Sequence, residues 1–214
     1  SNQDSLEVPK PSIVYRIISY LIVFPIFKIF FRGKVYGLEN VPKEGSLVVI
    51  ANHGSHLDPP LLGHILGRPV AFMAKAELFK IPFLGILIRM CGAYPVKRGA
   101  SDRDALNIAT NKLLDGWATG IFLDGKRQND GRVNRPRPGA SLLAARSGSP
   151  LLPVAIVNSH RALGKGKIFP RFVPIRIYIG KTISPPASRR KSDLEVVTQL
   201  AQNQINSILN DNRI

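Results

Sequence analysis

His53 and Asp58 are the residues in this sequence best suited to chemistry. They stand in the stretch Asn52-His53-Gly54-Ser55-His56-Leu57-Asp58-Pro59-Pro60, directly after an apolar, β-branched run, Leu47–Ala51. If that run is a strand and Asp58-Pro59 opens a helix, the intervening turn folds the carboxylate back onto the imidazole. A carboxylate that accepts from Nδ1–H fixes the tautomer and leaves Nε2 free as a general base. Ser55 lies nearby but not in a G-x-S-x-G elbow, so no protein nucleophile accompanies the pair. A base without a nucleophile suits a reaction in which the substrate's own hydroxyl attacks. Two other uses stay open at this level. Asp58 could serve only as the N-cap of its helix, with His53 in the core. His53, His56 and Asp58 are also metal-ligand types, but the chain has only four histidines and one cysteine, which makes a thin ligand set.

A second set of candidates is cationic. Lys97 and Arg98 follow the apolar run Ala93–Val96, and Lys126 and Arg127 follow Gly120–Leu123. Cations at the ends of two neighbouring strands can clamp a phosphate monoester, because a guanidinium fork binds it bidentately and an ammonium adds a point charge. Gly99 and Gly125 would let the backbone approach such a ligand. Asp124 is expected to pair with an arginine and orient it. The competing reading is a solvated basic rim.

Elements must position these groups. Leu47–Ala51, Val70–Met73, Ala93–Val96, Gly120–Leu123, Leu151–Val157 and Ile175–Ile179 read as strands. Helical patterns fall between several of them. Asp58-Pro59 marks one start, with Asp58 as N-cap. Ser101 and Asp104 resemble a capping box ahead of Ala105–Trp117. Ala140–Arg146 ends at Gly148. Ser192 and Glu195 open an amphipathic helix through Leu209. The expectation is an α/β fold, one domain with a mostly parallel or mixed sheet flanked by helices, plus an N-terminal hydrophobic helical arm. In such sheets ligands sit at the carboxyl ends of strands. The junctions after Ala51, Val96 and Leu123 are therefore the places to look.

Composition bounds the partners. The chain has 214 residues, 30 Lys+Arg against 14 Asp+Glu, and a formal charge of +16, with 44% apolar residues. That apolar content excludes disorder for the bulk of the chain. The lone Cys91 excludes an intrachain disulfide framework. The charge demands an anionic partner, and it is uneven: Lys126 to Lys191 holds 15 Lys/Arg and one acid, Asp130. These cations are not interleaved with aromatic residues and no nucleic-acid motif appears, so nucleic acid is not the expected partner. An anionic membrane surface is. Ile13–Phe31 is mostly Ile, Leu, Val, Phe and Tyr, but only 11 residues separate Arg16 from Lys28. A spanning helix wants about 20. The arm, residues 1–33, is therefore read as a monotopic helix kinked near Pro25, lying in the lipid interface and detachable from a domain at 34–214. A buried core helix and a true span, with Arg16 and Lys28 snorkelling outward, are the alternatives.

The His/Asp motif resembles the signature of the glycerolipid acyltransferases, in particular the 1-acylglycerol-3-phosphate acyltransferase family. Further blocks follow in order. Ala74-Lys75-Ala76-Glu77-Leu78 with Ile81-Pro82-Phe83-Leu84-Gly85 is similar to the segment downstream of the motif. Gly92-Ala93-Tyr94-Pro95-Val96-Lys97-Arg98-Gly99 resembles the second block, and Ile121-Phe122-Leu123-Asp124-Gly125-Lys126-Arg127 the third. Leu152-Pro153-Val154-Ala155-Ile156 resembles the fourth. Where the family reads Pro-Glu-Gly-Thr, this chain has Leu123, Asp124, Gly125 and Lys126. The resemblance implies transfer of a fatty acyl group from a thioester, on acyl-carrier protein or coenzyme A, to the sn-2 hydroxyl of lysophosphatidate. Another acceptor, such as glycerol 3-phosphate, or a non-catalytic lipid-binding module is the alternative. It also implies His53 and Asp58 as the catalytic pair, and Arg98, Asp124, Gly125, Lys126 and Arg127 as acceptor-binding residues. No metal and no cofactor beyond the thioester co-substrate are expected, nor an acyl-enzyme. The expected location is the cytoplasmic face of a membrane. Backbone N–H groups around Gly54 and Ser55 are candidates for the oxyanion donors.

Overall fold

The computed structural model describes residues 13–82, 85, 88–89, 92–96 and 102–212. Its centre is a seven-stranded sheet in the order β1-β7-β6-β2-β5-β3-β4. The strands are β1 (Lys34–Tyr36), β2 (Leu47–Ala51), β3 (Val70–Lys75), β4 (Tyr94–Val96), β5 (Ala118–Phe122), β6 (Leu151–Val157) and β7 (Arg176–Ile179). Every pairing is parallel except β6 with β7. The sheet is therefore mixed, as the alternating pattern predicts. β2 lies between β5 and β6, with Ala51 in register with Phe122 on one side and Val154 on the other.

Continuous apolar runs arise because both sheet faces are covered. Leu47, Val49 and Ala51 point into one core with Leu61, Leu62, Phe72 and Ile177. Val48 and Ile50 point into the other, with Leu113, Leu143, Ala201 and Ile205. The helices Asp102–Leu114, Gly139–Ser147 and Lys191–Asp211 cover the second face. Gly148 ends the Gly139–Ser147 helix in the left-handed region at φ 67°, where a residue without Cβ pays no steric penalty.

The N-terminal segment is helical from Ile13 to Phe30, but not uniformly so. Ile13–Ile18 is α-helical, and wide i→i+5 turns follow over Ser19–Val23 and Ile26–Phe30. Pro25 has no N–H to donate, and the N–H of Phe24 reaches back to the Ser19 carbonyl instead. Phe27 and Phe31 are 1% and 2% exposed and belong to the first core. Two of the arm's aromatic rings therefore pack into the core of the domain. The arm's other side exposes Ile13, Ile17, Tyr20, Leu21, Ile22, Ile29 and Phe30. Among the described residues, no helix is long and apolar enough to cross a membrane.

Candidate active site

The carboxyl end of β2 runs straight into Asn52 and His53, and the helix Asp58–Ile65 returns above it. Asp58 is the first residue of that helix rather than its N-cap; Leu57 holds the cap position and makes no side-chain cap bond. The Asp58 carboxylate points back along the chain instead. Its Oδ2 accepts from the N–H of Gly54 and of Ser55, each at 2.8 Å, and from His53 Nδ1, also at 2.8 Å. An oxygen already taking two backbone N–H bonds is a carboxylate acceptor, so the ring nitrogen facing it is the donor. That assignment puts the free lone pair of a neutral His53 ring on Nε2. Asp58 is wholly buried, whereas the His53 side chain keeps 17% of its surface open.

The same bonds correct one expectation. The Gly54 and Ser55 N–H groups cannot serve as oxyanion donors, because both are spent on Asp58.

Three supports fix His53 that residue types alone did not reveal. Phe122, the last residue of β5, stacks on the imidazole with centroids 3.9 Å apart and planes 14° off parallel. Phe72 stacks in turn on Phe122 at 5.8 Å. Asn52 is buried and its amide works like a strand residue. Its Oδ1 accepts from the Ile156 N–H at 2.8 Å, and its Nδ2 donates to the carbonyls of Ile156 at 2.8 Å and Gly131 at 2.7 Å. Gly54 is the third. A Cβ there would lie 2.7 Å from His160 Cβ and 3.0 Å from the His160 backbone. The register of Ala51 with Phe122, readable once β2 and β5 are paired, is the one signal that could have found the stacked ring.

Asp124 also departs from expectation. Both its oxygens are taken by backbone N–H groups of the following loop, Asn134 at 3.1 Å and Arg135 at 2.7 Å. It braces that loop; no arginine partner appears among the described residues. Gly125 turns the chain with φ 64°, its N–H donating to the Phe122 carbonyl at 2.9 Å. Lys126 is exposed and Arg127 half-buried. The turn that carries them is tied to the pair, since the Gln128 N–H donates to the His53 carbonyl at 2.7 Å. The structure therefore brings His53, Asp58, Asp124, Gly125, Lys126 and Arg127 to one end of the sheet. Arg98, with Lys97 and Gly99, lies outside the described residues.

His160 sits behind Gly54 and Gly131 in a short helix, Ser159–Leu163. Burial pushes its imidazole below the ordinary range; Arg161 adds to this, while Asp130 and Asp58 oppose it. Among the described residues no three of His, Cys, Asp or Glu converge as metal ligands. A groove lined by Ile183, Pro185, Val196 and Leu200 opens near the amino end of β6, where Ile183 bridges Leu151, and so at the other end of the sheet from His53.

A comparison with known families adds the deciding finding: residues 32–157, which include every described residue of this site, match the family model described as Acyltransferase. The chain belongs to the Acyltransferase family. Curated relatives carry a more specific name. The 1-acyl-sn-glycerol-3-phosphate acyltransferase of Borreliella burgdorferi is 28% identical over 68% of this chain and 59% of its own length. The chloroplastic 1-acyl-sn-glycerol-3-phosphate acyltransferase LPAT1 of Arabidopsis thaliana is 33% identical over 69% of this chain and 39% of its own. The matched region thus spans about 40–60% of such relatives. Among solved structures, the 1-acyl-sn-glycerophosphate (LPA) acyltransferase PlsC of Thermotoga maritima superposes with a TM-score of 0.69. It is 25% identical, over 92% of this chain and 82% of that one. This acyltransferase chain therefore shares its fold with that enzyme over nearly its whole length.

Proposed function

We propose that this chain is a 1-acyl-sn-glycerol-3-phosphate O-acyltransferase, moving a fatty acyl group from a thioester to the sn-2 hydroxyl of lysophosphatidate to give phosphatidate. The observation that carries this reading is the imidazole held by Asp58 at the carboxyl end of β2, in a member of the Acyltransferase family. His53 Nε2 takes the proton of the acceptor hydroxyl as its oxygen attacks the thioester carbonyl. Asp58 stabilises the imidazolium that results. The C–O bond forms, the C–S bond of the tetrahedral intermediate breaks, and the departing sulfur leaves as a thiol with the proton from His53. The balance closes with acceptor and thioester alone, so the step as written requires no metal, cofactor or acyl-enzyme. Phe122 and Asn52 are positioning residues: they hold the ring plane and the strand end, and neither takes part in the proton or acyl transfer.

Arg98 and Arg127 are assigned to the acceptor phosphate, with Lys126 beside them, because a phosphate monoester matches guanidinium forks. Gly125 gives the turn its close approach, and Asp124 holds the loop behind it. Residues 1–33 act as the membrane-associating arm of the domain at 34–214. The enzyme is placed as a monotopic protein on the anionic surface of the cytoplasmic leaflet, where carrier-protein or coenzyme A thioesters are met. The arm's exposed apolar side supports the membrane contact.

The test is purified protein with a labelled acyl thioester and a panel of acceptors, with products separated by chromatography. Acylation of lysophosphatidate, undiminished by a chelator, is the expected result. Turnover only with a different acceptor would reassign the substrate, and loss of turnover with chelator would reassign the chemistry.

A further inference from the structure

We propose that the segment Gly164–Phe172 is a second membrane-docking element, which inserts Ile168 and Phe169 into the headgroup–acyl boundary of an anionic leaflet beside the N-terminal arm. This rests on the reading of the chain as an enzyme of membrane lipid. The sequence here is Gly-Lys-Gly-Lys-Ile-Phe-Pro-Arg-Phe. Ile168 is 85% exposed and Phe169 83%, the two most exposed large apolar side chains among the described residues. Scattered apolar residues on a surface need no explanation, but contiguous ones do. The segment that carries them meets the arm at Phe172, itself 57% exposed: its ring lies 5.2 Å from that of Phe30 and 6.1 Å from that of Phe31, and Arg32 donates to the Phe172 carbonyl at 3.3 Å.

The base of the segment is pinned. The Arg171 N–H donates to the Ala162 carbonyl at 2.7 Å, the Lys167 N–H to the Gly164 carbonyl at 3.2 Å, and Asn158 Nδ2 to the Pro174 carbonyl at 3.1 Å. The apolar tip is thus presented on a fixed stem. Charge selects the occupant. Lys165, Lys167 and Arg171 flank the tip, Lys28 and Arg32 lie on the arm, and all five are exposed. The sequence holds no acidic residue between Asp130 and Asp193. Apolar tips ringed by cations match an anionic leaflet, whose surface potential draws in Lys and Arg while the tips reach the acyl boundary.

Two-point docking would place the active site as well. The arm is joined to the helix that begins at Asp58 by Tyr15 Oη donating to the Gly63 carbonyl at 2.5 Å and by Ser19 Oγ paired with His64 Nδ1 at 2.6 Å. The second element hangs from the short helix whose His160 backs onto Gly54. The His53–Asp58 turn is held between the two.

The experiment is a Phe169→Trp substitution in the full chain, with vesicles of equal parts phosphatidylglycerol and phosphatidylcholine carrying brominated acyl chains. The native chain has one tryptophan, Trp117, whose signal is subtracted. Emission from residue 169 is expected to shift to shorter wavelength and be quenched by the brominated chains, only weakly so with phosphatidylcholine alone. In flotation, Ile168→Ser/Phe169→Ser is expected to raise the apparent Kd for the anionic vesicles by about a hundredfold, roughly tenfold per side chain, with an unchanged Tm. An unquenched residue 169 together with native-like flotation of the double variant would overturn the proposal. So would protection that needs a second copy of the chain or an acidic carrier protein in place of vesicles. Quenching in a protein that fails to acylate lysophosphatidate would leave this proposal standing and refute the functional reading instead.

Discussion

Replacing Asp58 by Asn isolates what its charge does. The oxygen that faces His53 also takes the Gly54 and Ser55 N–H bonds, so an amide oxygen can keep the geometry while removing the negative charge. With charge centres about 4 Å apart and an effective dielectric near 20, the carboxylate favours an imidazolium by about 4 kcal/mol. That converts to roughly a thousandfold in kcat. Loss of the preferred tautomer adds to it, and the equivalent change in serine-protease triads costs about four orders of magnitude. Stability should suffer less, because a neutral hydrogen bond replaces a charge-assisted one, at about 1–3 kcal/mol. For a chain of this size that is a Tm fall of roughly 2–4 °C per kcal/mol. Asp58→Ala separates the two effects, since it also strands two buried N–H donors and should lose several degrees more. The assay is steady-state acyl transfer to lysophosphatidate alongside thermal unfolding. A folded Asp58→Asn enzyme with native kcat would refute the assignment of Asp58 to imidazolium stabilisation.

Four further expectations accompany it. Gly54→Ala should lower kcat about a hundredfold, because the new Cβ must displace the His53 turn from His160, and a shift of about 1 Å near a reacting group costs that much; kinetics with a Tm control checks it. Asn52→Ala should lower both Tm and kcat, since it leaves the Ile156 and Gly131 backbone groups unpaired at about 1–3 kcal/mol each. Arg98→Ala and Arg127→Ala should raise the acceptor KM, by on the order of 2–5 kcal/mol where the contact is desolvated, and leave the donor KM nearly unchanged; Lys126→Thr reports whether that cation joins them. His64 and His160 are both held below the ordinary imidazole value of 6.5, His64 by burial and Lys28, His160 by burial and Arg161. The unfolded chain therefore binds more protons just below pH 6.5, so stability is full above that pH and falls as pH drops toward the depressed values. His160→Gln should flatten the acid side of the Tm–pH curve, and an identical curve would contradict this.

The strands that were legible in the sequence are the fully buried ones. Leu47–Ala51 and Leu151–Val157 were readable to the residue because each packs against two cores and so carries no polar interruption. β1 was not legible: Lys34–Tyr36 is a three-residue edge strand with two exposed positions. The helix Ser159–Leu163 is too short to show a period, and it follows Asn158 in the left-handed region at φ 68°. The helix expected to open at Ser192 and Glu195 starts at Lys191, and Ser188 Oγ donates to Asp193 within its first turn. At the site, the approach of Asp58 to His53 was readable from spacing. The fate of the Gly54 and Ser55 N–H groups was not, because it depends on where one carboxylate oxygen sits within the turn. Asn52 and Phe122 stood inside recognised blocks without a role, since their partners lie on strands distant in sequence.

The most direct test of the central claim is the rate of phosphatidate formation by purified His53→Ala enzyme, measured against the native chain at saturating thioester and lysophosphatidate. Removing a general base costs about two to four orders of magnitude in turnover; Tm is expected to fall as well, because the ring stacks on Phe122 and bonds the buried Asp58, so the rate is read on enzyme shown to be folded. A folded His53→Ala enzyme that forms phosphatidate at the native rate would contradict the account.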